Sequence, residues 1–209
     1  WYFSKLLLCE EEEVQIEQWD HYVKQTYRNR CVIGSGDGLL ALTVPTEKAA
    51  GTKCYMKDVR ISEHGQWRHQ HWNALEAAYG QTPFFLYYED DFRALYERRS
   101  GFLFDFNLQL TTLCCELIGI HPVLRLTESF VPPLLQEGKG DTSDFRELIH
   151  PKRNYTADPA FRPAPYYQVF ASRFGFRPNL SIVDLLFNMG PESIFVLQKS
   201  IIKENEGCC

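Results

Sequence analysis

The sequence predicts a mixed α/β domain: a small N-terminal sheet containing a hairpin, followed by a mainly helical middle and C-terminal part. Three observations carry that prediction. Alternating apolar and polar residues are concentrated before residue 63, helical spacing dominates from Trp67 to Leu117, and a capped helix pair closes the chain after Ser181.

The elements follow in order. Residues 1–9 read as a short helix, and Glu10–Glu13 as an acidic break before a strand over 12–19, where Val14 and Ile16 alternate with polar neighbours. Cys31-Val32-Ile33 and Leu39–Val44 flank Gly34-Ser35-Gly36-Asp37-Gly38, the pattern of a hairpin with an Asp-Gly turn. A phosphate loop would need a helix after those glycines, and a second strand follows instead. Residues 57–62 alternate again through Val59 and Ile61, which predicts a further strand.

Trp67, Trp72, Leu75, Ala78 and Tyr79 recur at helical spacing, with Gly80 at the C-cap position. Residues 84–99 form a second aromatic-rich helix. Phe102, Phe106, Leu110, Leu113 and Leu117 mark a third, closed by Gly119 and Pro122, and residues 123–126 are β-like. The stretch 132–165 is broken by prolines and glycines, with one short helix expected at 144–149; irregular segments of that length are often functional. Ser181 with Asp184 is a capping-box variant opening a helix over 182–188, and Gly190-Pro191 ends it and starts another. One domain spanning 1–209 is expected.

Composition bounds the function. The chain has 209 residues, 44% of them hydrophobic and 14% aromatic, enough apolar area for a sizeable core. No apolar run reaches the ~20 residues of a membrane span. With 22 Lys+Arg against 27 Asp+Glu the net charge is −5, which argues against a general nucleic-acid binder. The 7 cysteines include no C-x-x-C pair, so free thiols and a cytoplasmic location are expected, with Cys208-Cys209 read as a polar tail rather than a prenylation signal. With no initiator Met and no signal-peptide pattern, the chain reads as a piece of a longer one.

The densest chemical signal is Lys24-Gln25-Thr26-Tyr27-Arg28-Asn29-Arg30, three cations among hydrogen-bonding side chains between two strands. A fork of arginines suits a phosphate or carboxylate; the alternative is a solvated loop pairing with Glu10–Glu13 or Glu89–Asp91. His69 and His71 sit about 200° apart around a helix and cannot share an ion, so no metal site is expected. His71 flanks the apolar row of its helix, either as a hydrogen-bonded core histidine or as a general base. Asn107 lies on the stripe Leu103–Leu110–Cys114, where its amide either orients a neighbouring loop or faces a cavity. Tyr166, Tyr167 and Gln168 line a cleft or pack as a strand edge. Asp184 is accounted for by its capping position.

Tyr27-Arg28-Asn29-Arg30-Cys31, followed by Leu42-Thr43-Val44-Pro45, resembles the WbqC-like protein family, which is associated with bacterial O-antigen and other surface-polysaccharide clusters. Asp58-Val59-Arg60-Ile61, Tyr87-Tyr88-Glu89-Asp90-Asp91-Phe92 and the closing Leu180-Ser181-Ile182-Val183-Asp184-Leu185-Leu186-Phe187 carry the resemblance along nearly the whole chain. Family members open with a strand and a Pro- and Tyr-containing turn that this sequence does not contain.

The resemblance implies transfer of an acyl or aminoacyl group to a nucleotide-linked amino sugar, with an anionic nucleotide sugar or acyl donor as partner. On that reading Lys24, Arg28 and Arg30 grip the anion, Tyr27 and Asn29 position the ligand, and His71 takes the proton of the attacking amine. Thr127 and Glu128, at the C-terminal end of a strand, complete the set where open α/β sheets gather ligands. No cofactor is identified. The rival reading is a non-catalytic assembly component whose aromatic surface (Tyr22, Trp67, Phe84, Phe85, Tyr87, Tyr88) anchors partners.

Overall fold

The computed structural model describes residues 1–48, 54–134 and 143–202. A short helix α1 (Tyr2–Leu8) leads into β1 (Glu13–Ile16), then the hairpin β2 (Arg30–Ser35) and β3 (Gly38–Thr43). Three longer helices follow: α2 (Trp67–Tyr79), α3 (Phe85–Glu97) and α4 (Leu103–Ile118). After β4 (Val123–Leu126) an irregular stretch leads to α5 (Ala171–Phe174), α6 (Ile182–Met189) and α7 (Ser193–Ser200). The mixed class, the early hairpin and the helical remainder are those the sequence predicts.

Among the described residues the strands form two separate two-stranded sheets. β2 and β3 pair antiparallel with Ser35 opposite Gly38, so the turn is Gly36-Asp37, one residue earlier than the expected Asp-Gly turn, and Gly38 follows it at φ 117°. β1 and β4 pair parallel, Glu13 opposite Val123 and Ile16 opposite Leu126. β1 is shorter than expected because Glu17 turns its carboxylate onto the backbone N–H of Trp19 at 2.5 Å.

The strand expected at 57–62 is replaced by a 3-10 turn (Met56–Asp58) and single bridges, Thr46 with Ile61 and Arg60 with Phe102. Val59 and Ile61 are buried as the alternation requires, but against helix-borne Trp67, Leu103 and Phe106 rather than beneath another strand. The Val59 carbonyl accepts from Leu103 N at 2.9 Å, at the start of α4. The helix expected at 144–149 is a single helical turn closed by Ile149 N donating to Phe145 O at 3.0 Å.

The larger core cluster joins Tyr79, Phe85, Phe92, Leu186, Phe187 and Ile33; the smaller surrounds Trp67 and Phe106, and Tyr96 packs against both. Phe187 is fully buried against the rings of Tyr79, Phe85 and Phe92, and such burial contributes about 1.5–3 kcal/mol. α6 reaches this position because Gly190 turns the chain at φ 54°, and a Cβ there would lie 2.4 Å from the Phe84 ring. Gly119 ends α4 at φ 82°, as the sequence predicts.

The capping reading of Ser181 and Asp184 is corrected. The Ser181 hydroxyl makes no cap bond and faces the Cys31 thiol, while Asp184 is buried inside the core. Its carboxylate accepts from the Tyr79 hydroxyl at 2.8 Å, the Tyr166 hydroxyl at 2.6 Å and Gln168 Nε2 at 3.0 Å. Tyr166, Tyr167 and Gln168 do not form a strand; Gln168 is buried in this network and also bonds Arg177 through backbone N and O.

Candidate cavity and its arginine rim

A cavity of about 1010 Å³ lies between the segment preceding β2, the facing side of α4, and helices α1, α6 and α7. Tyr27, Arg28, Arg30, Asn107 and Thr127 of the predicted site line it together. They come from three distant parts of the sequence. Asn107 on α4 reaches across to the arginine loop, Nδ2 donating to the Arg28 carbonyl at 2.6 Å. Thr127, just past β4, donates its hydroxyl to Glu17 Oε1 at 3.2 Å, and its carbonyl accepts from Gln18 Nε2 and Trp19 Nε1 at 2.7 and 2.9 Å.

The arginines differ in what they are bound to. Arg28 pairs with Asp20 at 2.5 Å and donates to the His21 carbonyl at 2.9 Å. Arg146 forks onto Asp144 and lies 3.8 Å from Glu17, while its other nitrogen donates to the Val131 carbonyl at 2.7 Å. Arg30, partly buried at the first position of β2, makes no ion pair among the described residues. Neither Glu10–Glu13 nor Glu89–Asp91 takes up these cations: Glu13 pairs with Arg125 and Glu89 with Arg93.

Other predicted residues lie apart from the cavity wall. Lys24 and Glu128 are exposed. Asn29 is buried behind the loop, its Nδ2 donating to the Val44 carbonyl at 3.3 Å while its backbone carbonyl accepts from Val44 N at 2.8 Å. His71 is buried against Trp67 and Tyr96, and its Nε2 donates to the Thr43 carbonyl at 3.1 Å. Burial pushes its pKa down to about 4, so the ring is neutral near pH 7 and ties α2 to the end of β3. Among the described residues no group of His, Cys, Asp and Glu could hold a metal ion.

Glu17, Asp144 and Arg146 join the rim without having been singled out by sequence. Asp144 and Arg146 stand in the proline-broken stretch, and nothing in their spacing signals that they fold onto β1. Hydrogen bonding to Arg146 holds the Asp144 carboxyl down at about 2, below its ordinary 3.8. The unfolded chain therefore takes up the proton first, so this pair's stabilisation is complete above about pH 4 and drains away as pH falls through about 2. Asp144→Asn should be less stable than the parent at pH 5, and the gap should close by about pH 2 when denaturant unfolding is compared across that range.

A family model described as WbqC-like protein family matches residues 2–139. An uncharacterized protein of Mycobacterium tuberculosis is 27% identical over 194 residues, covering 82% of this chain and 81% of that protein. No solved structure matches the chain. No helix among the described residues is long and apolar enough to cross a membrane.

Proposed function

The chain belongs to the WbqC-like protein family, and we propose that its cavity binds an anionic small molecule, a nucleotide-linked amino sugar or an acyl donor, in the cytoplasmic building of bacterial surface polysaccharide. The observation that carries this reading is Arg30: a guanidinium on the cavity wall, without a carboxylate partner among the described residues, two positions from Arg28. A phosphate or carboxylate supplies the missing charge and accepts bidentate hydrogen bonds. Asn107, bound to the Arg28 carbonyl, fixes the backbone of the loop that carries Arg28. The Tyr27 phenol and Thr127 hydroxyl add neutral contacts on the same wall.

The reaction this site would serve is acyl transfer to nitrogen. The amine lone pair attacks the acyl carbonyl carbon, the bond to the thioester sulfur or phosphate oxygen breaks, and the proton lost by the amine leaves with that departing thiolate or phosphate. His71 lies outside the cavity lining with Nε2 occupied, so its contacts support a structural role. A second reading, a non-catalytic assembly component, draws on Leu86 and Tyr87, which are 75% and 78% exposed at the start of α3. Trp67 and Phe85 of the expected aromatic surface are core residues and unavailable to partners.

Thermal-shift measurements with nucleotide sugars, acyl-CoA and ATP test the binding reading. A ligand at about 100 times its Kd stabilises the fold by about 2.7 kcal/mol, which for a chain of this size raises Tm by about 5–10 °C. The parent should show that shift, and Arg28→Ala and Arg30→Ala should lose most of it. Absence of any shift in the parent would leave the assembly reading.

A further inference from the structure

The geometry points to a ligand with a long acyl chain: a single-chain acyl compound whose anionic head sits at the arginine rim and whose chain fills the interior of the cavity. This rests on the reading of the cavity as an anion-binding site, and names the class of molecule it takes. The volume, about 1010 Å³, is at the upper end for small-molecule pockets and exceeds what an anionic head held by two arginines needs.

The polar groups are unevenly placed. Arg28, Thr127, Glu17 and Arg146 are linked through shared neighbours: Thr127 and Arg146 both approach Glu17, and Arg146 feels the charge of Asp20, the partner of Arg28. Away from that rim the wall is mostly apolar, although Lys5, Thr111, His150 and Ser200 also line it. α4 presents Leu108 and Leu110, α6 presents Ile182 and Val183, and Val196 of α7 and Phe176 complete the surface. All six are only partly buried.

Several polar groups on that wall are already engaged with protein partners. The Tyr166 hydroxyl donates to Asp184, the Cys31 thiol faces Ser181, and Lys5 is paired with Asp158 at 2.7 Å. A sugar or nucleotide pushed to that depth would exchange its hydration for few free hydrogen-bond partners. Methylene groups meet no such cost, and they remove apolar wall from water. Charge at one end and hydrocarbon at the other is complementary to an acyl phosphate, an acyl thioester of a phosphopantetheine carrier, or a free fatty acid. The shared chemistry is the chain beneath an anionic head.

Isothermal titration calorimetry on the full chain tests this with coenzyme A, acetyl-, hexanoyl- and decanoyl-coenzyme A, with decanoate as the free-acid arm and a UDP-linked amino sugar as the chain-free arm. Affinity should rise about three- to fourfold per methylene, hence about 100-fold from hexanoyl to decanoyl, with an increasingly negative heat-capacity change. Tighter binding of decanoyl-coenzyme A than decanoate assigns the head to the carrier phosphates; the reverse assigns it to the carboxylate. Leu108→Trp, and independently Val183→Phe, should abolish the dependence on chain length, so that decanoyl-coenzyme A binds no more tightly than coenzyme A and decanoate binding weakens. Binding of the nucleotide compounds with no dependence on chain length would overturn the acyl inference and leave the anion site standing. Chain-length dependence that survives both wall variants would also overturn it. Failure of every compound to bind would remove both readings.

Discussion

Asp184→Ala is expected to lower the unfolding free energy by about 3–5 kcal/mol, because one buried carboxylate serves three donors. Asp184 is 1% exposed and receives the hydroxyls of Tyr79 and Tyr166 and the amide of Gln168. The Tyr79 oxygen in turn accepts from Gly34 N at 3.2 Å. The network thus connects the hairpin, α2, the 166–168 segment and α6, and truncation strands all three donors while opening a void. Against a typical total of about 5–15 kcal/mol, that is a large fraction of what holds the fold.

Asp184→Asn keeps an acceptor but turns an N–H pair toward existing donors, so an intermediate loss is expected. Urea unfolding monitored by tryptophan fluorescence should place the midpoints in the order parent, Asn, Ala, the last lower by about 1–2 M. A loss below about 1 kcal/mol for alanine would mean that the network does not support the fold.

The pH dependence has the opposite sign to that of Asp144. Burial pushes the Asp184 carboxyl above its ordinary 3.8, and the bonds from Tyr166, Tyr79 and Gln168 only partly offset it. The folded state then holds the proton longer than the unfolded chain, so this group's contribution is greatest in acid and falls as pH rises past about 4.

How legible these features were depended on whether local pattern or distant pairing decides them. The row Trp67, Trp72, Leu75, Ala78 and Tyr79 is a local periodicity, and it forms α2 with the same residues buried. The hairpin and the Gly119 stop are equally local. Asp184 was misread because Ser181 and Asp184 have capping spacing, whereas the partners that determine its role lie 105 and 18 residues away. The alternation at 57–62 reported burial correctly but not the neighbour: a helix end, not a strand, took the Val59 carbonyl.

The arginine cluster was visible as a density of cations, yet sequence could not sort it. Lys24, Arg28 and Arg30 look alike in a row of residues. What separates them is the Asn107 bond to the Arg28 carbonyl from 79 positions away and the start of β2 at Arg30, which leave those two on the cavity wall and Lys24 in solvent.

The second large effect is expected where α1 meets the irregular segment. Lys5 and Asp158 pair at 2.7 Å with side chains only 6% and 3% exposed. Asp158 also accepts from Trp1 Nε1 at 2.6 Å and from Ala160 N at 3.0 Å, and Lys5 lies 5.1 Å from the centre of the Phe145 ring. Burial by itself would push the Asp158 carboxyl up, but its bonds to Lys5 and Trp1 prevail and hold it below its ordinary value. The pair's contribution is therefore present above about pH 4 and declines as the solution is acidified further. Lys5→Met or Asp158→Leu alone leaves a buried charge without its partner and should cost about 3–5 kcal/mol. Removing both charges together removes that penalty, since an apolar pair of similar volume often matches a buried ion pair in stability. The Lys5→Met/Asp158→Leu double variant should therefore be more stable than either single variant, with a coupling energy of about 2 kcal/mol or more in a double-mutant cycle of denaturant unfolding. If the single losses simply add, the two charges are not coupled, and α1 is held by its apolar face against α7 alone.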